Sequence, residues 1–484
     1  MQKTTQRLIK PLFDYAKPGV RIHRSIQTAA QKINPNTNQS DRIKVDLPTI
    51  KTNGDRIKIL NSPTEFYNTL LENIRNAKEN IYLTSLYIGS DQIELVKTLQ
   101  EALASNPNLQ VHITLDYLRS TREHPSKSTL SLLSPLLLSF PIRFNLHLYH
   151  TPALNKLSKY LIPSRFNEGW GLQHMKFYLF DQQLVLSGAN LGGDYFANRQ
   201  DRYMVFNVPP LAAYFQGLFK LVQGFSFNVE GSEVSDIRWR NKRLGSPIET
   251  NTSLFKSIIH KDVNEFTIKW NERWNDSGEG DTSLTPLLQM GPFGIRQETD
   301  IVVPALFESA SRTTKPLKWT SGYFSLHPKY LNHVLQTPNP VSIITASPLA
   351  NGFYGSKGVS RFLPDAYTYL MRRFYDRLGP EEGDIEIHEW TRTGWTYHAK
   401  GIWVGDDTTI IGSSNFGYRS ATRDLEAGLL IQTESEKLRF TLRKEWNGLQ
   451  AYATENVNGE LFERPERQVA CGVKIAARTI RSML

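Results

Sequence analysis

Residues 172–190 read LQHMKFYLFDQQLVLSGAN, and residues 397–415 read YHAKGIWVGDDTTIIGSSN. Each places a histidine and a lysine two residues apart at the head of an apolar run. Each run ends at an acidic turn and returns through a second apolar run to an asparagine. In a strand, residues i and i+2 share a face. His174 therefore stands beside Lys176, and His398 beside Lys400, while Phe177 and Leu179 face the other way. DQQ and GDD read as hairpin turns, which bring Asn190 and Asn415 back toward the histidines. One such match carries little weight, because short motifs arise by chance. Two in one chain demand a duplicated fold.

The duplication extends beyond the hairpins. IYLTSLYIGS (81–90) aligns with LKWTSGYFSL (317–326), matching Thr84-Ser85 to Thr320-Ser321 and Tyr87 to Tyr323. A helix-like stretch follows each, then a strand: VHITLD from Val111 and VSIITA from Val341. Such self-similarity predicts two related α/β halves, each a mixed β-sheet flanked by helices. We expect a basic segment over 1–43, the halves over 44–285 and 286–455, and a basic tail over 456–484. NPNTNQSD (34–41) reads as a linker and NDSGEGDTS (275–283) as the loop joining the halves.

At 484 residues the chain can build large cores. No apolar run reaches the roughly 18 residues of a spanning helix; the longest, LLSPLLLSF (132–140), contains Pro135. The single cysteine, Cys471, excludes intrachain disulfides and offers no metal-ligand cluster. The net charge of +10 favours anionic partners. Residues 1–40 carry Lys3, Arg7, Lys10, Lys17, Arg21, Arg24 and Lys32 against Asp14 alone, the composition of a mitochondrial targeting segment. In the tail 469–484, Val473, Ala476, Ile480 and Met483 share one helical face, and Lys474, Arg478 and Arg481 another. That pattern suits either a membrane-surface helix or one docked on the core.

Two histidines and two lysines brought together can supply what a phosphodiester or diphosphate requires: a nucleophile, an acid and cations for the anionic oxygens. An imidazole can attack phosphorus and split the reaction into two steps. Lys176 and Lys400 are expected to clamp nonbridging oxygens, with Asn190 and Asn415 donating further hydrogen bonds. Each histidine also needs an orienting partner, and Asp201 and Glu426 follow the two motifs at similar distances. Asp181 is expected to brace the hairpin turn or a nearby backbone donor. Arg119, Arg122 and Arg165 are candidates for a substrate phosphate. No cofactor is expected to be required, no metal ligands are assigned, and divalent cations are expected only to modulate activity.

The paired motifs resemble the phospholipase D superfamily. LYHTP, RFNEGWGLQHMKFYLFD, LSGANLGGDYFANRQDRY, GWTYHAKGIW and GSSNFGYRSATRDLEAGL are, more narrowly, similar to the eukaryotic phosphatidylglycerophosphate synthases, over most of residues 45–450. The resemblance implies two phospholipase D-like halves with the active site at their interface, and cross-pairing of Glu426 with His174 and Asp201 with His398. It implies attack by one histidine, here His174, on CDP-diacylglycerol, acid and base assistance by His398, and glycerol 3-phosphate as acceptor. The product would be phosphatidylglycerophosphate, made on an anionic mitochondrial inner-membrane surface by a peripheral protein. Cardiolipin synthase, a lipid hydrolase or a nuclease could use the same groups; a nucleic-acid partner is disfavoured by the synthase-like strings. The second motif departs from the superfamily by placing Gly405, followed by Asp406 and Asp407, where an aspartate is expected. The first departs by its turn Ser187-Gly188-Ala189-Asn190.

Overall fold

In each of two sheets, three parallel strands lead into an antiparallel hairpin. The first sheet runs Asn80–Thr84, Gln110–Asp116 and Phe144–Tyr149 in parallel. The hairpin Phe177–Phe180 and Gln183–Ser187 lies beside Asn80–Thr84, followed by Tyr203–Phe206 and Ile57–Leu60. The second runs Leu317–Ser321, Val341–Ala346 and Ile385–Trp390 in parallel. The hairpin Lys400–Val404 and Thr408–Gly412 lies beside Leu317–Ser321, followed by Leu425–Thr433 and Thr282–Met290. The computed structural model describes residues 42–122, 128–154, 164–274, 277–378 and 384–483, so the basic segment expected over 1–43 lies almost entirely outside them. Arg42–Leu484 forms one compact unit.

The first half lends chain to the second sheet where the sequence suggested a clean division. Ile50–Thr52 pairs with the second sheet, Ile50 opposite Leu284. Strand Thr282–Met290 runs across the 285/286 boundary and takes the end of the expected joining loop. The hairpin strands also start later than the motifs suggest, at Phe177 and Lys400. His174 and His398 precede them because their backbone N–H groups donate across the halves, to Leu425 O at 3.0 Å and Gln200 O at 2.8 Å.

Between the sheets lies a shared core that includes Met175, Phe177, Leu184 and Leu186 from one side and Leu284, Leu288, Ile411 and Leu429 from the other. Helices cover the remaining faces. Pro63–Asn76 is representative: Ser62 caps the Glu65 N–H, Pro63 occupies the first turn, and Phe66, Leu70 and Ile74 fall on the buried face. The apolar stretch around Pro135 lies in helix Thr129–Ser139 and buries Leu132, Leu133, Leu136 and Leu137. Among the described residues no helix is long and apolar enough to cross a membrane. The tail forms helix Cys471–Thr479, docked through Ala477 against Ala366 and Tyr369. Of the expected apolar stripe, Val473 packs in that contact and Ile480 and Met483 are half-buried, but Ala477 rather than the exposed Ala476 is its buried centre.

A buried arginine ties the sheets together. Arg202, 1% exposed, enters strand Tyr203–Phe206 and reaches the second sheet. Its guanidinium donates to both Glu445 oxygens at 2.8 and 2.9 Å and to Ile410 O at 2.7 Å, and lies 3.8 Å from the Trp403 ring centroid. Gly401 makes room for it, since a Cβ there would fall 1.9 Å from Nη1. Removing one partner of a buried charge pair strands the other. Arg202→Ala should therefore cost about 3–5 kcal/mol, read as a lowered urea midpoint at unchanged slope; an unchanged midpoint would show that the clamp contributes nothing.

Candidate active site

The segment carrying His174 is pinned before its strand begins. Gln173 N–H donates to Asp116 Oδ2 at 3.1 Å, and Gln173 Nε2 donates to Ser85 O and Thr114 O at 3.0 and 3.2 Å. Asp116, at the end of a parallel strand, also caps the Arg119 N–H at 3.0 Å. Burial pushes its carboxyl up to about 8. Leu172 and Leu425 bond backbone to backbone at 2.8 Å, and Thr396–Tyr397 pairs in parallel with Arg199–Gln200. Each histidine thus sits on a segment stitched to the opposite half.

The side chains cross in the same way. His174 Nδ1 lies 2.9 Å from both oxygens of Glu426, and His398 Nδ1 lies 2.7 Å from Asp201 Oδ2. With Nδ1–H donating to a carboxylate, the lone pair of a neutral ring is left on Nε2. Burial holds His174 below the ordinary imidazole range, with Glu426 opposing and Lys176 adding to the shift. Burial drives His398 further down, helped by Lys400 and Arg199. Burial raises Asp201. At Glu426 burial also raises the carboxyl, but His174, Lys176 and the Ser413 hydroxyl together outweigh it and hold it below its ordinary value.

The lysines do not reach forward. Lys176 Nζ donates to His174 O at 2.7 Å, and Lys400 Nζ donates to His398 O, lies 2.6 Å from His398 Nδ1 and 3.4 Å from Asp201 Oδ2. Both are buried, at 0% and 1% exposure, behind the histidines rather than in the cavity wall. Burial lowers Lys176 well below its ordinary value and brings Lys400 to about 8. Both amines lie beneath the cavity wall rather than in it.

His174, His398, Asn190 and Asn415 line one cavity of about 940 Å³. Asn190 Nδ2 meets Tyr195 Oη at 3.0 Å, and the buried Oδ1 atoms of Asn190 and Asn415 have no hydrogen-bond partner. Turning the Asn190 amide over would keep Tyr195 bonded, its hydroxyl donating, and aim the NH₂ at a ligand. Arg119 and Arg122 are also in the wall and share the carboxylate of Glu168, at 3.2 and 2.5 Å. The Arg165 side chain lies outside the described residues. His174, Asp424 and Glu426 place ligand atoms within 4.8 Å of one another, but Asp424 already accepts from Leu172 N and Arg419, and Glu426 from Ser413 and His174.

Asp181 stands away from the cavity wall. Its carboxylate accepts the backbone N–H groups of Lys78, Glu79 and Asn80 at 2.8, 2.8 and 2.9 Å. The corresponding Gly405 explains the second motif's departure. Asp181 and Gly405 both adopt left-handed backbone, at φ 52 and 57, a conformation glycine takes without strain. Asp406 pairs with Lys318 and Arg443, and Asp407 with Lys315 and Arg439, outside the cavity wall. Gly188 is explained by space: a Cβ would fall 2.6 Å from Asp201 Oδ1 and 2.9 Å from Lys400 Cδ.

Motif reading passed over Tyr195, Arg199, Tyr367, Arg419 and Asp424, all in the cavity wall. Tyr87 and Tyr323 line it too; their alignment in the repeat was the available signal. The others carry no pattern until the halves are superposed.

No protein-family model matches the chain. It is 37% identical over 461 residues to the CDP-diacylglycerol–glycerol-3-phosphate 3-phosphatidyltransferase of Saccharomyces pastorianus, covering 89% of this chain and 88% of that one. The mitochondrial enzymes of that name from Gallus gallus and Homo sapiens are each 36% identical, covering 90% of this chain and 85% and 84% of theirs. Among solved structures, the phosphatidylserine synthase of Haemophilus influenzae Rd KW20 superposes with a TM-score of 0.71 at 22% identity, covering 90% of this chain and 97% of that one. That likeness is one of fold.

The placement of Asp181 separates stability from chemistry. Asp181→Ala should lower stability by about 1–2 kcal/mol, through three uncapped backbone donors, and leave turnover per folded molecule within about twofold. Asp201→Ala should abolish turnover. Loss of turnover in folded Asp181→Ala would return that carboxylate to the chemistry.

Proposed function

The chain belongs to the CDP-diacylglycerol–glycerol-3-phosphate 3-phosphatidyltransferases, and on that footing we propose that it transfers the phosphatidyl group of CDP-diacylglycerol to sn-glycerol 3-phosphate through a phosphohistidine intermediate. The observation that carries the mechanism is the pair of crossed imidazole–carboxylate contacts opening on one cavity. Nε2 of His174, oriented by Glu426, attacks the lipid-bearing phosphorus. His398, oriented by Asp201, gives its proton to the departing CMP. It then takes the proton of the primary hydroxyl that attacks the phosphatidyl-enzyme. The products are CMP and phosphatidylglycerophosphate, on the way to phosphatidylglycerol and cardiolipin. An anionic diphosphate beside His398 supplies the charge that raises its proton affinity when the acid is needed. Lys176 and Lys400 contribute positive potential from below. Arg119 and Arg122 are the cations we assign to the acceptor phosphate.

Both imidazoles have a claim to the nucleophile's place. Asp424 and Glu426 flank His174, whereas Lys400 and Arg199 stand by His398, so local charge alone keeps His398 the more neutral ring. Acid-quenched labelling with CDP-diacylglycerol radiolabelled in its lipid portion, followed by peptide mapping, decides between them. Label is expected on His174; His174→Ala should lose both adduct and turnover, and the double variant with His398→Ala should be little worse. Label on His398 would exchange the roles. Full activity in either single variant would refute the mechanism.

No metal takes part in the proposed steps. Activity should survive EDTA, with divalent ions altering only the lipid surface; complete loss restored by one ion per protein would overturn this. The mitochondrial names of the Gallus gallus and Homo sapiens relatives and the lipid donor support a peripheral place on the mitochondrial inner membrane, facing anionic lipid.

A further inference from the structure

The two halves differ at one pair of cavity positions in a way that breaks their equivalence. Helices Gly193–Ala197 and Tyr418–Thr422 occupy corresponding places, each after its asparagine and before the carboxylate that orients a histidine. Counting from Asn190 and Asn415, Asp194 corresponds to Arg419, Arg199 to Asp424, and Asp201 to Glu426. Each half forms the same local ion pair: Arg199 with Asp194 at 2.8 Å, and Arg419 with Asp424 at 3.1 Å. The pair is kept and its charges are exchanged.

The consequence falls on the histidines. The more buried member of each pair, Arg199 or Asp424, stands two residues before the orienting carboxylate. Arg199 lies 4.5 Å over the Tyr195 ring and bonds Tyr323 Oη at 2.8 Å, and both rings pack edge-on to His398. Asp424 lies within 4.8 Å of the ligand atoms of His174 and Glu426. The cavity wall therefore holds Arg199 without Asp194 on the His398 side, but both Asp424 and its partner Arg419 on the His174 side. Arg199 is built into its place: it is 9% exposed, and its buried Nε has no hydrogen-bond partner. Gly352 leaves room for it, since a Cβ there would fall 2.7 Å from Nη2.

Orientation matters because the donor is a diphosphate with two phosphorus atoms open to attack. Attack on the lipid-bearing phosphorus forms its N–P bond and breaks its bond to the bridging oxygen. The electron pair stays on that oxygen, which leaves with CMP and takes the acid's proton. The reversed orientation would give a cytidylyl-enzyme and release phosphatidic acid. We propose that the exchanged ion pairs set this orientation: Arg199 holds the departing nucleotide phosphate beside His398, while beside His174 the buried Asp424 neutralises Arg419, the cation that could otherwise hold it there. The proposal rests on the phosphatidyl-transfer reading and supplies a reason for the nucleophile's identity that the local charge on the rings does not.

Two measurements on the full-length protein test it. In the first, CMP binding is measured by calorimetry. Arg199→Gln should weaken it by about tenfold or more, and Arg199→Lys by much less, the difference expected for a charge-assisted phosphate contact. Gly352→Ala, which displaces the guanidinium without changing charge, should weaken it too. CMP affinity unchanged within about twofold in Arg199→Gln would overturn the proposal. In the second, all four charges are reversed together: Asp194→Arg, Arg199→Asp, Arg419→Asp and Asp424→Arg. With the donor labelled separately in lipid and cytidine, lipid label should move from His174 to His398, or cytidylyl label and phosphatidic acid should appear. Lipid label confined to His174 in that variant would overturn the proposal. If the unsubstituted protein binds no CMP and takes no label, the transferase mechanism fails and this inference with it; binding and labelling that ignore Arg199 defeat the inference alone.

Discussion

Everything in the site depends on each histidine being held by the opposite half. His174 takes its orienting carboxylate from strand Leu425–Thr433 and its backbone partner from Leu425, while His398 takes them from Asp201 and Gln200. A displacement of one sheet against the other would undo both imidazoles at once. The structure guards against it with the shared core, the strand Ile50–Thr52 given to the second sheet, and the Arg202–Glu445 clamp one residue beyond Asp201. Buried charge is costly unless fully paired, so a clamp of this kind favours one register of the sheets.

Duplication supplies two imidazoles, and the departures from duplication give them different surroundings. Ser413 donates to Glu426, whereas the equivalent Gly188 leaves space for Asp201 and Lys400. The longer carboxylate is thus bonded by a hydroxyl, and the shorter one by an ammonium. Asp181 and Gly405 share a left-handed turn, but only Asp181 caps three backbone donors. These differences have local physical causes, and none requires the halves to have different folds.

The hairpins, the repeated parallel strands and the four motif residues were legible because alternation places i and i+2 together whatever the surroundings. Tertiary direction was not. Lys176 and Lys400 share a motif face with their histidines, yet their amines turn back to the His174 and His398 carbonyls, because those carbonyls lie next to the buried stems. The loan of Ile50–Thr52 to the second sheet leaves no mark in periodicity, since an edge strand reads the same wherever it pairs. The tail was readable as a helix, but its contact face was set by Ala366 and Tyr369, far away in sequence. Arg199 and Asp424 look like ordinary surface charges until the repeat and the ion pairs are laid over each other.

The crossing of the two halves can be read directly from the rings. In protein labelled with ¹⁵N-histidine, both active-site imidazoles should be neutral with the proton on Nδ1. Glu426→Gln should shift the ring signals of His174 and leave those of His398 nearly unmoved, and Asp201→Asn should do the reverse. Glu426→Gln signals that moved at His398 and stood still at His174, or rings carrying the proton on Nε2, would contradict the interlocked site.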